Sequence, residues 1–418
     1  MKKWLMSTFL ALIAVAFVIP NVCLCEEMSN SELMEELKAL KEKIKMLEDK
    51  LNDKEVREIK EKSAEERDKL HEGSRGVKGF SDRVRRIEEK VESELLGRWS
   101  DKITLSGVIE VEAGYEDFDY DDPAEDDEKS SDITLATVEL GIDVDIVKHV
   151  KGHVLFSYED DEDVIVEEGI IIIDGEDVVP LYLNAGKLYV PFGYFESHFI
   201  SDPLTLELGE TRESAVKVGF ANDMFDLCAA AFNGDINEAD EGDDHIKNFV
   251  ASAKFRLPED TVSGLGLMVG ASWIANIADS DGLQDYLNEA GTDEIKDFIP
   301  GWSAFVSASF LDIFFIEAEY VAATDSFEQG DLGLGPGEKF EPRAWNFELA
   351  CAVTEDLEVA IRYEGSDDVL DFIPEKQYGA AFTYCLFDNT SLALEYLHGK
   401  FENADEKDML TGQLAIEF

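Results

Sequence analysis

The feature that most constrains the fold of this 418-residue chain is an alternation of apolar and polar side chains that begins near residue 102 and recurs to the C-terminus. In the first run, apolar residues such as Leu105 and Val111 alternate with polar residues such as Thr104 and Glu112. A period of two is the pattern of a β-strand with one apolar face. Sixteen comparable runs lie near residues 103–115, 133–147, 150–159, 164–173, 180–189, 214–221, 225–233, 247–257, 263–276, 302–311, 313–323, 344–354, 356–364, 377–387, 390–400 and 410–418.

These runs have the length and the number that a transmembrane β-barrel requires. A strand needs about 9–11 residues to cross a bilayer at a tilt, and single-chain bacterial outer-membrane barrels have an even number of antiparallel strands. We therefore predict an all-β transmembrane barrel of sixteen antiparallel strands over residues 99–418, preceded by an α-helical segment. A secreted β-sandwich is the alternative that the alternation by itself leaves open.

The connections between the runs alternate between long and short, as in barrels with long outer loops and short periplasmic turns. Starting from a periplasmic N-terminal end, the predicted outer loops are residues 116–131, 160–163, 190–213, 234–246, 277–300, 325–342, 365–376 and 401–409. The chain ends on an alternating segment with Phe418, which resembles the C-terminal assembly signal of outer-membrane barrels and predicts the barrel-assembly machinery as a partner. Together these features favour the barrel over the sandwich and predict the outer membrane of a Gram-negative bacterium as its location.

The first 98 residues are organised differently. Lys2 and Lys3 precede an apolar stretch shorter than the roughly 20 residues of a membrane-spanning helix, so residues 1–25 are predicted to be a signal peptide. In residues 26–98 apolar residues recur at alternating spacings of four and three, which is a heptad seam. The first seam consists of Leu33, Leu37, Leu40, Ile44, Leu47 and Leu51. We predict a periplasmic coiled coil and a homo-oligomer, with a trimer favoured although a dimer stays open. A single amphipathic helix lying on another surface is the alternative.

The negative charge of the chain belongs to the predicted barrel. The chain has 93 acidic and 37 basic residues and a net charge of −56, yet residues 26–98 hold 21 acids against 18 bases. A barrel of about sixteen strands encloses water, so acidic side chains on its polar face line the lumen. The predicted lumen charges are Glu110, Glu112, Glu139, Asp143, Glu317, Glu319, Glu348, Glu358 and Glu364. Rings of carboxylates favour cations in a pore, and a field of this sign excludes nucleic acid as a partner.

The third long connection, residues 190–213, is rich in apolar and aromatic residues where its neighbours are acidic. An apolar loop is disfavoured in water, and in general porins the third long loop folds into the lumen and narrows it. We therefore predict that this segment forms the pore constriction. The residues assigned to solute contact are Tyr194, Glu196, His198, Asp202, Glu210 and Arg212. Packing as a lid or against the inner wall, without solute contact, is the alternative.

Residues in and before this loop resemble a known family. Residues 184–197 read Asn-Ala-Gly-Lys-Leu-Tyr-Val-Pro-Phe-Gly-Tyr-Phe-Glu-Ser, followed by Ile-Ser-Asp-Pro-Leu-Thr-Leu at 200–206 and Gly-Glu-Thr-Arg-Glu at 209–213. This segment resembles the siderophore porins of the LbtU family, which also combine a signal peptide, an N-terminal coiled coil and a barrel. The resemblance implies passive uptake of a ferric siderophore without a globular plug. A general cation-selective diffusion porin with no siderophore role is the rival interpretation.

Residue types that could carry other chemistry are scattered along the chain. No serine–histidine–acid arrangement and no metal-ligand spacing of Cys or His stands out. Cys228, Cys351 and Cys385 lie far apart inside strand-like runs and do not predict a disulfide framework. The acidic run 117–128 has several features of a calcium loop but lacks its sixth-position Gly, so a solvated loop is the preferred interpretation. We therefore predict a channel without catalytic activity, cofactor or resident metal.

Overall fold

The structure is a computed structural model that describes residues 102–159, 163–175, 178–239, 245–258, 261–290, 294–328, 331, 339–369 and 373–418. The predicted signal peptide and the predicted coiled coil, including the seam from Leu33 to Leu51, lie outside these residues. The described residues all belong to the region that the alternation assigns to the barrel.

Sixteen strands form one closed barrel of antiparallel neighbours, which confirms the predicted number and pairing. They are β1 (Ile103–Asp119), β2 (Glu128–Val147), β3 (Val150–Glu159), β4 (Ile165–Asp174), β5 (Leu181–Tyr189), β6 (Arg212–Ala221), β7 (Phe225–Phe232), β9 (Asn248–Arg256), β10 (Leu265–Ile274), β12 (Gly301–Phe310), β13 (Phe314–Ala323), β14 (Arg343–Ala352), β15 (Leu357–Asp367), β16 (Lys376–Phe387), β17 (Thr390–Lys400) and β18 (Glu406–Glu417). The short strands β8 (Asn237–Glu238) and β11 (Glu294–Ile295) form a separate parallel pair in the outer loops. The barrel closes where β1 pairs with β18, for example at Val108 opposite Glu417.

The alternation separates a lipid-facing surface from the lumen, because residues paired on neighbouring strands point to the same side of a sheet. Outward positions carry large apolar side chains, such as Trp273 opposite Trp302, which are 43% and 40% exposed. Aromatic rings are grouped near both ends of this surface. Phe225 and Phe255 lie 5.4 Å apart near the periplasmic end, and Trp302 and Tyr320 lie 5.2 Å apart near the outer end. Aromatic girdles of this kind mark the two interfaces of a membrane.

The first outer loop is shorter than its acidic sequence indicates. The prediction of a loop over 116–131 is wrong at both ends, because β1 and β2 pair as far as Phe118 opposite Glu128. Opposite charges support this extension, since Lys129 Nζ lies 2.5 Å from Asp117 Oδ2. A charged alternating run therefore continues as strand beyond the apolar band. β18 likewise begins inside the last predicted outer loop.

Short turns join the strands at the periplasmic end, and several contain a residue with left-handed backbone. His149, Leu311 and Asn389 have φ angles of 67°, 57° and 58°, which allow a strand to reverse within a few residues. The described outer connections contain two short α-helices, α1 (Leu204–Gly209) and α2 (Asp281–Ala290), and a 3-10 helix at Ile277–Asp279. No helix among the described residues is both long and apolar enough to cross a bilayer.

The main buried apolar cluster lies inside the outer half of the barrel. Its members come from the outer ends of the strands and from the loops between them, and they include Leu188, Phe192, Leu208, Ile277, Leu283, Phe327 and Phe340. Loops that are apolar on one side therefore fold inward and bury that side, as the hydrophobic effect requires. This cluster fixes the loop that forms the candidate site.

Candidate pore constriction

The connection between β5 and β6, residues 190–211 and called L3 below, crosses the lumen. It leaves the barrel wall at β5, and its backbone N–H groups bond to glutamates on β13, β14, β15 and β17. In the ring of sixteen strands, β14 lies almost opposite β5. L3 is thus attached at its two ends to one wall and along its length to the facing wall.

L3 begins with a turn that requires glycine. Gly193 has a φ of 79°, and an added Cβ would lie 2.0 Å from Cζ of Phe195. The Gly193 N–H donates to Ser272 Oγ at 3.0 Å. The next ring, Tyr194, stacks on Phe305 with centroids 4.3 Å apart and an interplanar angle of 12°. This turn directs the chain away from β5 and across the lumen.

Two wall glutamates each accept two consecutive backbone N–H groups of L3. Glu319 on β13 accepts from residues 194 and 195, at 2.9 Å each. Glu395 on β17 accepts from residues 200 and 201, at 2.7 Å and 3.1 Å. Glu319 is 7% exposed and Glu395 is 2% exposed. Each glutamate thus accepts two consecutive backbone N–H groups, and buried N–H groups require such partners, so these contacts hold L3 against the wall.

Arg362 on β15 connects the wall to L3 between these two points. Its buried guanidinium bonds to Glu348 on β14, with 2.9 Å from Nε to Oε1. It also donates to the carbonyl oxygens of Ser201 at 2.8 Å and Asp202 at 3.2 Å, and it lies 4.2 Å from the centroid of the Phe199 ring. A buried charge is costly unless it is paired and hydrogen-bonded. Here the carbonyl oxygens of L3 supply some of the hydrogen-bond acceptors that the buried Arg362 guanidinium requires.

Two further backbone groups of L3 end on buried glutamates. Glu348 accepts the N–H of His198 at 2.8 Å, and Glu364 accepts the N–H of Leu204 at 2.9 Å. L3 has no neighbouring strand that could accept its N–H groups, and a buried N–H requires a partner. Glu319, Glu348 and Glu364, predicted as lumen charges, therefore lie on the inner face but are covered by the loop that they hold.

His198 points its ring at the wall. Its Nδ1 lies 2.8 Å from Oε1 of Glu358, and its ring centroid lies 5.5 Å from that of Phe315. Burial lowers the pKa of His198, but the hydrogen bond to Glu358 and the nearby carboxylates outweigh burial, so the net direction is upward. Glu317, the neighbouring predicted lumen charge, accepts from Ser307 Oγ at 2.9 Å.

L3 returns to the wall through α1, which the outer loop carrying α2 braces. Leu204 and Leu208 of α1 are 5% and 0% exposed in the apolar cluster. Asp281 donates its N–H to the carbonyl oxygen of Glu210 at 2.8 Å, and its Oδ1 accepts the N–H of Arg212 at 3.2 Å. Burial, with the nearby Asp281 carboxylate, raises the pKa of Glu210 to about 8. At neutral pH this carboxyl group is mostly protonated.

Arg212, at the first position of β6, is held by the wall. Its guanidinium forms an ion pair with Glu167 on β4, and the Tyr189 hydroxyl donates to the same carboxylate. Glu167 is only 4% exposed. The Arg212 charge is therefore largely engaged by the barrel, and its contact with a solute stays a prediction.

Beneath L3, on the side of β5 to β9, lies a half-open recess of about 550 Å³. Its wall side includes Tyr182, Lys217, Asp226, Cys228 and Lys254, and residues 190–197 of L3 cover it. The Lys254 ammonium lies 5.2 Å from the centroid of the Tyr194 ring, and the Lys217 ammonium lies 6.0 Å from that of Tyr182. Neither ammonium forms an ion pair with any carboxylate in the described residues. This wall of the constriction therefore carries positive charge.

The wall formed by β1 to β3 receives no hydrogen bond from the L3 backbone in the part of the chain that the structure describes. The predicted lumen charges on it are Glu110, Glu112, Glu139 and Asp143. Glu112 accepts from Gln413 Nε2 at 2.9 Å, and Asp143 Oδ1 lies 2.8 Å from Nδ1 of His153. The side chains of all four acids are partly or fully open to the lumen.

The structure brings the predicted constriction residues together inside the barrel but gives them different roles. Glu196 and Asp202 have exposed side chains on L3, whereas Tyr194, His198 and Glu210 are partly buried against neighbours. The sequence reasoning missed the lumen position of Lys217, although Val216 and Val218 face outward on either side of it and the alternation therefore places it inside. Lys254 was missed in the same way.

Comparison with known proteins identifies relatives of low similarity and a shared fold. No protein-family model matches the chain. It is 24% identical over 325 residues to a UPF0422 protein of Legionella pneumophila (strain Paris), covering 71% of this chain and 58% of that protein. It is 25% identical over 285 residues to a UPF0422 protein of Coxiella burnetii, covering 65% of this chain and 59% of that protein. The chain thus spans 58–59% of the length of these curated relatives.

Solved structures with a similar barrel are outer-membrane channels. The outer membrane channel DcaP of Acinetobacter baumannii matches with a TM-score of 0.52 and 15% identity, over 76% of this chain and 97% of that one. The anion-selective porin from Comamonas acidovorans matches with a TM-score of 0.53 and 12% identity, over 76% of this chain and 99% of that one. The barrel resembles those of outer-membrane porins. At this level of identity the likeness concerns the fold alone.

Proposed function

We propose that this protein is an outer-membrane porin through which small solutes diffuse passively, and that it has no catalytic activity. The observation that carries the proposal is L3, a loop fixed across a closed sixteen-stranded barrel by backbone bonds to four buried wall glutamates. A barrel of this size encloses water unless something fills it. The L3 backbone forms no hydrogen bond to the wall of β1 to β3 in the described residues, so the proposed solute path runs between L3 and that wall.

The path that we propose is lined by carboxylates and therefore prefers cations. Negative charge on the wall of β1 to β3 comes from Glu110, Glu112 and Glu139. The charge of the glutamates under L3 is instead compensated by N–H groups and by Arg362. Rings of uncompensated carboxylates attract cations to a pore. Recordings from planar bilayers that contain the full chain, under a KCl gradient, test both the porin function and the cation preference. We expect channel steps and a reversal potential that indicates potassium preference. An absence of channel steps would contradict the porin function, and a chloride preference would contradict the proposed path.

A narrower proposal names a ferric siderophore as a solute. It is supported by the resemblance of residues 184–213 to siderophore porins, because this segment forms part of β5, all of L3 and the start of β6. The test measures iron accumulation from a ferric siderophore in cells that lack the gene and in cells that carry it. We expect the gene to restore accumulation. Equal accumulation in the two strains, with channel activity intact in bilayers, would contradict siderophore uptake but not the porin function.

The proposed assembly combines a homo-oligomer, with a trimer favoured, and insertion by the barrel-assembly machinery. Residues 26–98 are proposed to associate as a periplasmic coiled coil. Phe418 closes the barrel by exchanging two backbone hydrogen bonds of 3.0 Å with Gly107, and its ring is 58% exposed to the outside. Cross-linking in membranes should give oligomers for the full chain and fewer for a chain without residues 26–98. F418A should lower the yield of folded barrel in cells.

A further inference from the structure

The recess beneath L3 has opposite charges on its two sides. The wall side presents the ammonium groups of Lys217 on β6 and Lys254 on β9, and the L3 side presents the carboxylates of Glu196 and Asp202. Each lysine lies over a tyrosine ring instead of forming an ion pair with a described residue. A cation–π contact orients an ammonium group and leaves its hydrogen-bond donors unused. Both lysines are therefore available to an arriving oxyanion.

The remaining acids of the recess do not cancel this arrangement. Asp226 lies opposite Lys254 in the register of β7 and β9, and its Oδ1 accepts the Tyr182 hydroxyl at 3.0 Å. Glu210 is mostly protonated at neutral pH because burial raises its pKa to about 8. With Glu210 protonated, the recess has two lysines, Lys217 and Lys254, against three acids, Glu196, Asp202 and Asp226, and so carries a small net negative charge. What distinguishes the recess is the separation of its charges.

We propose that this recess binds zwitterionic solutes of the class of free amino acids and short peptides, with the solute carboxylate at Lys217 and Lys254 and the solute ammonium at Glu196 and Asp202. The inference rests on the proposed porin function and names the class of solute that its constriction favours. The volume of 550 Å³ lies within the range of about 300–1,000 Å³ that is usual for small-molecule sites.

Only a dipolar solute uses both sides of the recess. A simple anion meets two lysines but must first enter a lumen whose other wall repels it. A simple cation is repelled by the same lysines and finds carboxylates elsewhere, at Glu110 and Glu112. A neutral sugar gains from neither set of charges. The ring of Phe199 and the side chain of Leu206 also line the recess and offer apolar surface to the body of the solute.

Swelling of liposomes that contain the full chain tests this inference. The probes are L-glutamine, a zwitterion, and D-arabinose, a neutral solute of similar size, at equal osmotic strength. The quantity compared is the ratio of the entry rate of L-glutamine to that of D-arabinose. With the wild-type protein we expect this ratio to be above one. In the double variant K217M/K254M we expect this ratio to fall about threefold or more, because two charge-assisted hydrogen bonds to the carboxylate are lost. In the double variant E196Q/D202N, which changes the other side, the ratio should fall as well.

A matched control separates the recess from general lumen charge. Lys151 on β3 faces the lumen opposite Asp145 and does not line the recess, so K151M should leave the ratio unchanged. K217R/K254R should retain a ratio above that of K217M/K254M, because arginine preserves the positive charge. The ratio could stay unchanged in both double variants while the liposomes still admit D-arabinose and conduct potassium. That result would contradict binding of zwitterionic solutes in the recess but would not contradict the porin function. If the wild-type protein admits neither probe and conducts no ions, the porin function itself fails.

Discussion

The guanidinium of Arg362 and the carboxylate of Glu348, on neighbouring strands of the barrel wall, are both fully buried and lie 2.9 Å apart. Charged side chains on the inner face of a water-filled barrel would ordinarily be solvated. Here L3 covers both groups and bonds to each, through the His198 N–H and the Ser201 carbonyl. The pair therefore supports the loop and is not part of the open surface of the lumen.

Removal of the Arg362 charge should destabilise the barrel. In R362M, Glu348 and Glu364 lose a cationic partner inside a buried site, and breaking a buried pair in this way costs about 3–5 kcal/mol. Urea titration of the protein folded into lipid vesicles measures the free energy of unfolding. R343M is the matched control, since Arg343 pairs with Asp367 at the exposed rim and should contribute less than about 1 kcal/mol. Equal losses in the two variants would contradict the role of Arg362.

Weakening one L3 anchor should change conductance through the position of the loop. In E319Q one of the two oxygens that each accept an N–H group of L3 becomes an NH2 donor, and the loss of one hydrogen bond costs about 1 kcal/mol. We expect larger and noisier single-channel currents as L3 moves more freely. D143N also removes one carboxylate from the lumen face but holds no part of L3, so it should shift selectivity without added noise. Indistinguishable current noise in the two variants would contradict the anchoring by Glu319.

The turn at the start of L3 should not tolerate a side chain. In G193A the φ of 79° and the contact with the Phe195 ring both oppose the new Cβ, and we expect a loss of about 1–3 kcal/mol in the free energy of unfolding. Gly114 on β1 is the control, because an added Cβ there meets nothing within 4 Å. G114A should be nearly neutral. A G193A protein with wild-type stability and conductance would show that this turn does not position L3.

Sequence reasoning recovered the barrel because a bilayer imposes a strict rule on every strand. Lipid on one face and water on the other force a period of two, which a single sequence displays directly. The rule fails where strands leave the membrane, and for that reason the charged run 116–131 was read as a loop although Lys129 and Asp117 extend the pairing.

The contacts that build the constriction could not be found in the same way. The loop was recognised from its apolar composition, but its anchors are distant in sequence, as with Ile200 and Glu395, 195 residues apart. Nothing local in a glutamate distinguishes one that accepts backbone N–H groups from one that faces water. The alternation therefore predicts a lumen charge for Glu348 and Glu110 alike. The alternation of their strands predicts that Lys217 and Lys254 face the lumen. That the two lysines line the same recess is visible only in the structure.

Ion selectivity should depend on pH through Glu210. The folded-state pKa of about 8 lies above the ordinary value because burial disfavours the charged form. The group is mostly neutral below that pH and gains one negative charge above it. We therefore expect the preference for potassium over chloride to rise across this interval. In E210Q the rise should be smaller, and an identical rise in the two proteins would assign it to other groups.

Anchored to the wall glutamates, L3 should set the width of an open pore. The most direct measurement compares single-channel conductance of the wild-type chain with that of a chain in which residues 193–208 are replaced by a short Gly-Ser linker, both verified as folded barrels by their resistance to protease in vesicles. We expect the wild-type chain to conduct with potassium preference and the chain without L3 to conduct severalfold more. Equal conductance in the two chains, or no conductance in either, would contradict this role of L3.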